Sequence, residues 1–390
     1  MNSKILHAAL FCVSPEGHWG LPVFLWSSPG VGKTHFVRDI AARSGLAYER
    51  LSPGERGEGQ FGVVPVPGAD DLLHYPAPDW SAKFTNGGIL FIDELNTAPP
   101  ALQAPLLGLV QLRTLGSHVF PKRTRVVAAA NETMQAAGGW DLAPALANRF
   151  GHFDFDGLDN NSWGIALMGN FANMEGDAGP MVNAEAEEHR VAEAWPGAIA
   201  TAASIVASFI RRKPGMLHMQ PKTGDDKASK AWPSRRSWHY ATTALASAKV
   251  HGLNEIDTDT FLAGFVGIGA VQELATHRTH LDLPEPADLL DGKVTWKHDS
   301  RRLDRTIAVL GACAGLVAPE KAEKRKDRGN RCWELIGSVL NGPDSTADCA
   351  IPAARVMLAA KMTTKDFEKT WIPLGDRLRP ILVQAGIVGS

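Results

Sequence analysis

Ser27-Ser28-Pro29-Gly30-Val31-Gly32-Lys33-Thr34 follows the apolar run Val23-Phe24-Leu25-Trp26 and precedes a helical pattern with Phe36, Val37, Ile40 and Ala41 on one face. Strand, glycine loop and helix together are the setting that a phosphate-binding loop requires. Successive backbone N–H groups must converge on phosphate oxygens, and glycine lets the main chain come close. The helix that follows adds the partial positive charge of its N-terminus. On this reading Ser28, Pro29, Gly30, Val31, Gly32, Lys33, Thr34 and His35 hold a nucleotide. Lys33 reaches the terminal phosphates as a cation, and Thr34 offers its hydroxyl to Mg²⁺. One departure is visible: Ser27 stands where the pattern opens with glycine. The plainer alternative is an ordinary Gly-Pro turn between strand and helix.

A second signal is Gly87-Gly88-Ile89-Leu90-Phe91-Ile92-Asp93-Glu94. So continuous an apolar run fits a strand buried on both faces of a parallel sheet. Ligands of such sheets bind beyond the carboxyl ends of the strands, where both carboxylates would sit. Asp93 can hold Mg²⁺, and Glu94 can take a proton from an attacking water. Arg125-Val126-Val127-Ala128-Ala129-Ala130-Asn131 reads as another buried strand, and Asn131 is placed to orient a water; a capping role is the alternative. Leu142–Phe150 reads as a short helix ending in Arg149. A guanidinium inserted at a phosphoryl-transfer site accelerates it by about 10³ or more; satisfying helix carbonyls is the competing role.

The remaining numbers bound the answer. The chain has 390 residues, 44% hydrophobic and 21% charged, with net charge −2. That is ordinary globular composition with no global basic field for nucleic acid. Cys12, Cys313, Cys332 and Cys349 are far apart, without metal-ligand spacing, and read as reduced intracellular thiols. No cleavage signal follows the N-terminal stretch, and no apolar run approaches the ~20 residues of a membrane span, so a soluble cytoplasmic protein is expected.

Along the chain, a helix over 99–112 precedes a turn or hairpin at 113–121, and His152–Phe155 gives a last strand. Ser52 to Pro78 is a long Gly- and Pro-rich excursion with some strand character at Phe61, Val63, Val64 and Val66. A composition change after Phe155 marks a boundary. Helices are expected at 185–194, 198–212, 236–251 and 259–277, with Lys213–Trp232 as an exposed loop and Pro284–Arg301 as a linker. A further helical region follows, in which the charge run Lys321–Arg328 reads as solvated. The expected domains are 1–156, 157–283 and 284–390.

The order of these motifs resembles the AAA+ ATPases, an α/β class with a P-loop NTPase parallel sheet flanked by helices, an α-helical lid and here a further helical C-terminal region. The stretches GGILFIDELNTAPPALQAPLLGLV, RVVAAANE, GGWDLAPALANRF and WPSRRSWHYA look like the MoxR and dynein-related (midasin-like) branch. The similarity covers about residues 21–275. It implies ATP and Mg²⁺ as ligands, with Lys33 and Thr34 as the Walker A pair and Asp93 and Glu94 as Walker B. Asn131 matches sensor 1, Arg149 the arginine finger acting on a neighbouring subunit's nucleotide, and Arg236 sensor 2, with Arg235 as competitor. It also implies a hexameric ring with an insertion at about 54–68 and a hairpin at about 113–123. The implied function is ATP hydrolysis coupled to remodelling a client, beside a separate von Willebrand factor A domain protein. A nucleotide-gated scaffold with little turnover and a nucleic-acid-processing motor are the alternatives; a small-molecule kinase suits the residues least.

Overall fold

Five short runs pair into one parallel sheet: β1 (Val23–Ser27), β2 (Ala47–Leu51), β3 (Gly88–Ile92), β4 (Thr124–Asn131) and β5 (Gly151–Asp154), in the order β2-β3-β4-β1-β5. This computed structural model describes residues 1–55, 58–61, 64–70, 72–131, 140–168, 182–222, 225–281, 283–320, 322–341 and 347–384. β1 and β3 are buried at every position, as expected of strands covered on both faces. The fold is the P-loop NTPase class of AAA+ type, with helices on the sheet and a helical C-terminal region.

The strand order decides where a ligand can sit. The chain leaves β1 in one direction, toward β2, and returns through β3 and β4 to finish on the other side at β5. A crevice therefore opens between β1 and β4 at their carboxyl ends, the place where open α/β sheets bind ligands. The register aligns Ser27 with Asn131 there, while Val23 pairs with Val127 and with Gly151 at the opposite end. Around the sheet, Phe24, Leu51, Phe61, Trp80, Leu90, Ile92, Leu106 and Phe150 share one core.

The chain divides into two compact units: Met1–Glu193 with Leu217–Val271, and Ala194–Met216 with Gln272–Ser390. The second has its own core, in which Trp333 is fully buried and donates to the Met362 carbonyl at 2.8 Å. Its helices include Leu303–Val317, Ala322–Leu340, Ala347–Ala359 and Glu368–Gln384.

Several sequence expectations change. The two helices expected around Pro196 are one helix, Ala184–Arg212, with the proline inside it. A proline removes its own N–H bond but leaves the rest of the ladder to carry the helix through. By length and composition alone this helix could cross a membrane, and it is the one such helix among the described residues. The helix expected at 259–277 is two, Glu255–Val266 and Ile268–Leu281, parted at Gly267, whose φ of 78° is outside the helical range. The linker after Pro284 holds the short helix Pro286–Leu290. The charge run opens the helix Ala322–Leu340, and its Arg328 is 12% exposed, paired with Asp291 at 2.6 Å and with Glu320. In the Gly-rich excursion, Phe61 ends a 3₁₀ turn and is buried, and Val66–Pro67 pairs antiparallel with Leu73–His74; Gly57, Gly62 and Val63 lie outside the described residues. The hairpin expected after residue 113 pairs Thr114–Leu115 with His118–Val119.

Candidate functional site

Lys33 is the first residue of the helix Lys33–Arg43, and its side chain reaches back into the crevice between β1 and β4. Its Nζ donates to Ser27 Oγ at 2.6 Å, to Asn131 Oδ1 at 2.8 Å and to the Ser28 carbonyl at 3.4 Å. Burial pulls the ammonium below its ordinary range, while Asp93 and Glu94 draw it back up. Ser27, the departure from the glycine pattern, thus holds the lysine. Gly30 and Gly32 have φ of 81° and 95°, left-handed backbone that other residues adopt only under strain. Nothing lies within 4 Å of where a Cβ would stand on either, so the loop is open on that side. Ser28, Pro29, Gly30 and Gly32 are exposed and Val31 is partly so, as a loop that receives a ligand requires.

Thr34 Oγ1 donates to Asp93 Oδ2 at 2.9 Å. That hydroxyl and the buried carboxylate are the hard oxygen donors that Mg²⁺ prefers. Sequence reasoning missed a second partner. Arg50, on β2, donates from Nε to the same Asp93 oxygen at 2.8 Å and grips Glu55 with both terminal nitrogens at 3.1 and 2.9 Å. These bonds, to Glu55 first and then Asp93, raise the Arg50 pKa further. The signal would have been the pairing of Leu51 with Ile92, which sets Arg50 beside the strand that ends at Asp93.

Glu94 follows in left-handed backbone, φ 52° and ψ 44°, at the start of the 3₁₀ turn Leu95–Thr97. For a non-glycine residue this costs on the order of 1–3 kcal/mol and needs support from its surroundings. The Thr97 hydroxyl and N–H both donate to the Glu94 carbonyl at 2.8 Å. Asn96, also missed in the sequence, is buried; its side chain donates to the Asn131 carbonyl at 3.1 Å, and its own carbonyl accepts from Trp140 N–H at 2.7 Å. It ties the turn after β3 to the end of β4.

Arg149 and Arg236 lie elsewhere. Arg149 precedes β5, whose first residue pairs with Val23 at the amino end of β1. The phosphate loop leaves the other end, about 13 Å of strand away. Arg149 Nε donates to Gln111 Oε1 at 2.9 Å and a terminal nitrogen to the Ala145 carbonyl at 2.6 Å. Burial lowers its pKa, and the charge of Arg236 adds to that. Arg236 is half-buried and Arg235 exposed, at the start of the helix Arg235–His251. A residue missed in the sequence links the two arginines. Asn148 accepts from the capping Ser234 Oγ at 2.6 Å and donates to the Trp232 carbonyl at 3.3 Å. Among the described residues no contact joins either arginine to Lys33, Thr34, Asp93 or Asn131. His152 bridges the ends of this region: Trp26 Nε1–H donates to its Nδ1 at 3.0 Å, and its Nε2 donates to the Ala147 carbonyl at 2.9 Å. Burial pushes His152 down to about 4.

Beside the loop is a cavity of about 580 Å³ lined by Gly32, His35, Phe36, Phe155, Gly157 and Trp163 among others. The Phe36 and Phe155 rings stand 4.8 Å apart. A Cβ on Gly157 would come within 2.7 Å of the Val31 carbonyl, so glycine lets this segment lie against the loop. An open glycine loop, a buried lysine, a hydroxyl–carboxylate pair and an adjoining cavity are groups that would suit a magnesium-bound nucleotide, with Thr34 and Asp93 able to hold the cation.

Residues 81–139 match the family model described as the Sigma-54 interaction domain, an AAA+ ATPase-type domain; the match spans β3 and β4. No curated protein matches. One solved structure, described as a "putative ATPase from Cytophaga hutchinsonii ATCC 33406", has 14% identity, covers 70% of this chain and 77% of its own, and superposes with a TM-score of 0.42. A likeness of that degree adds nothing to the functional reading.

Proposed function

We propose that this chain is a cytoplasmic, Mg²⁺-dependent ATPase of the MoxR-like kind that works as a ring, remodelling or activating a partner protein. The observation that carries the reading is the convergence of Lys33 on Ser27 and Asn131 beside the Thr34–Asp93 pair, at the crevice between β1 and β4. Bound Mg²⁺ would neutralise charge on the phosphate oxygens. Lys33 exchanges its internal partners for phosphate oxygens, and Asn131, released from it, is free to orient a water. Glu94 takes that water's proton, which is general-base catalysis worth about 10²–10⁴-fold.

Arg149 and Arg236 sit together at the far end of the sheet, and this supports a role on a neighbouring copy's nucleotide. Assembly, with a hexamer as the family precedent, then completes the site. The exposed apolar side chains of the two hairpins, Val66, Leu73 and Val119, suit client contact; the hairpins are tied where Ser117 Oγ donates to the Tyr75 carbonyl at 2.7 Å. A von Willebrand factor A domain protein is the partner that the resemblance suggests. A net charge of −2 speaks against a nucleic-acid motor.

A scaffold with little turnover is favoured by one observation: Arg50 already occupies the Asp93 oxygen that faces Thr34. Hydrolysis by the purified full chain, with and without Mg²⁺, decides between them. The ATPase reading expects Mg²⁺-dependent turnover that vanishes in Lys33→Ala; ATP binding without turnover, over the whole concentration range, supports the scaffold.

A further inference from the structure

Away from the nucleotide crevice, three helices bring together His7, Glu187 and His251, all residues of the first unit. His7 lies on Ser3–Leu10, Glu187 near the start of Ala184–Arg212, and His251 ends Arg235–His251. One nitrogen from each histidine and one carboxylate oxygen all lie within 4.8 Å of one another. Glu187 Oε1 is 3.1 Å from His7 Nε2 and 3.4 Å from His251 Nδ1. Zinc holds nitrogen and oxygen ligands at about 2.0–2.1 Å in a tetrahedron, whose edge is then about 3.3 Å. The two carboxylate–histidine spacings match that edge, and the two histidine nitrogens lie within 4.8 Å of each other.

The hydrogen bonds around the cluster fix its tautomers. His251 Nε2 faces the Phe11 carbonyl at 2.9 Å, which can only accept, so Nε2 carries the proton. Arg190 reaches His251 Nδ1 at 3.2 Å and can only donate, so Nδ1 presents a lone pair. A histidine that gives its second N–H to a backbone carbonyl has the outer-sphere arrangement typical of metal ligands. His7 now donates from Nε2 to Glu187, and it would ligate after moving that proton to Nδ1.

A cation already stands at this place. Arg190 is bidentate on Glu187, at 2.7 and 2.9 Å, and the same terminal nitrogen touches His251. Its other terminal nitrogen donates to the Val250 carbonyl at 3.1 Å, and its side chain is 48% exposed, so leaving means exchanging these bonds for water. A cavity of about 630 Å³ lined by His7, Glu187, Arg190, His251, Asn254 and Asp257 gives a path in.

We propose that His7, Glu187 and His251 form a two-histidine, one-carboxylate site for a divalent transition metal of the zinc class, which Arg190 vacates when the metal enters. The metal would staple three helices that no disulfide joins, and nothing in this site depends on the nucleotide reading.

The test is a titration of the tag-free, chelator-stripped full chain with Zn²⁺ against a chromophoric chelator, with X-ray absorption on the loaded protein. The expected result is one Zn²⁺ per chain in a mixed nitrogen–oxygen shell. His7→Ala, His251→Ala and the near-isosteric Glu187→Gln should each weaken binding by about 10-fold or more, and Arg190→Ala should tighten it. Circular dichroism establishes that each variant is folded, and Glu187→Gln guards against a packing defect as the cause of loss. Equal affinity in wild type, His7→Ala and His251→Ala would overturn the proposal. So would Zn²⁺ binding that appears only in Arg190→Ala, because the guanidinium would then be the permanent cation of the native chain.

Discussion

The loop cluster and the arginine pair are both rich in charge, yet they are built in opposite ways. At the carboxyl end of the sheet Lys33 meets Asn131 at 2.8 Å and Thr34 meets Asp93 at 2.9 Å. Arg149 and Arg236 are held at the amino end by Gln111, Ala145 and the Asn148–Ser234 clasp. On the proposed reading the first region binds the nucleotide and the second serves the nucleotide of a neighbouring copy. Binding and catalysis should therefore separate under mutation, and each variant below tests that separation.

The largest effect is expected from Arg149→Ala: turnover should fall about 10³-fold with ATP affinity nearly unchanged. Parallel loss of affinity, in a direct titration, would erase the distinction between the two regions. Glu94→Gln should lower turnover by about 10²-fold or more while ATP stays bound, read by single-turnover hydrolysis beside equilibrium binding. Lys33→Ala should weaken ATP on the order of 100-fold, because it removes a buried charge from its phosphate partners. Normal affinity there would move the site elsewhere. Asn148→Ala loosens the clasp without touching any nucleotide-facing group, and turnover should fall about 10-fold at constant affinity; an unchanged rate would make Asn148 a packing residue only.

The smallest effect concerns His152, which lies between the regions. Its folded pKa is about 4, below the ordinary value of 6.5. Below pH 6.5 the unfolded chain takes up a proton that the native state refuses. The stability that His152 contributes is complete above about pH 6.5 and declines as pH falls toward 4, by at most about 3 kcal/mol. Thermal unfolding from pH 7 to 4 should therefore slope less in His152→Gln than in the wild type. Equal slopes would place the acid sensitivity in other groups.

The legibility of the two regions differs for the same physical reason. The phosphate loop, the strand ending in Asp93-Glu94 and the strand ending in Asn131 are local patterns, and each was readable from spacing and periodicity. Their convergence followed from the strand order. Arg50, Asn96 and Asn148 were not readable, because each acts across a pairing that only the folded chain creates: β2 on β3, β3 on β4, and the Arg149 segment on the helix of Arg236. Helix limits failed where one residue carried too much weight. Pro196 does not end its helix, whereas Gly267 parts a stretch whose side chains read as continuous.

The most direct test of the account mixes two chains that are each inactive. Arg149→Ala retains Glu94 and the loop; Glu94→Gln retains Arg149. At concentrations where mixed assemblies form, the account predicts that Mg²⁺-dependent hydrolysis returns on mixing, because each Arg149→Ala site receives an arginine from its neighbour. Hydrolysis that stays absent at every ratio, in assemblies shown to contain both chains, would contradict it and place the whole site within one chain.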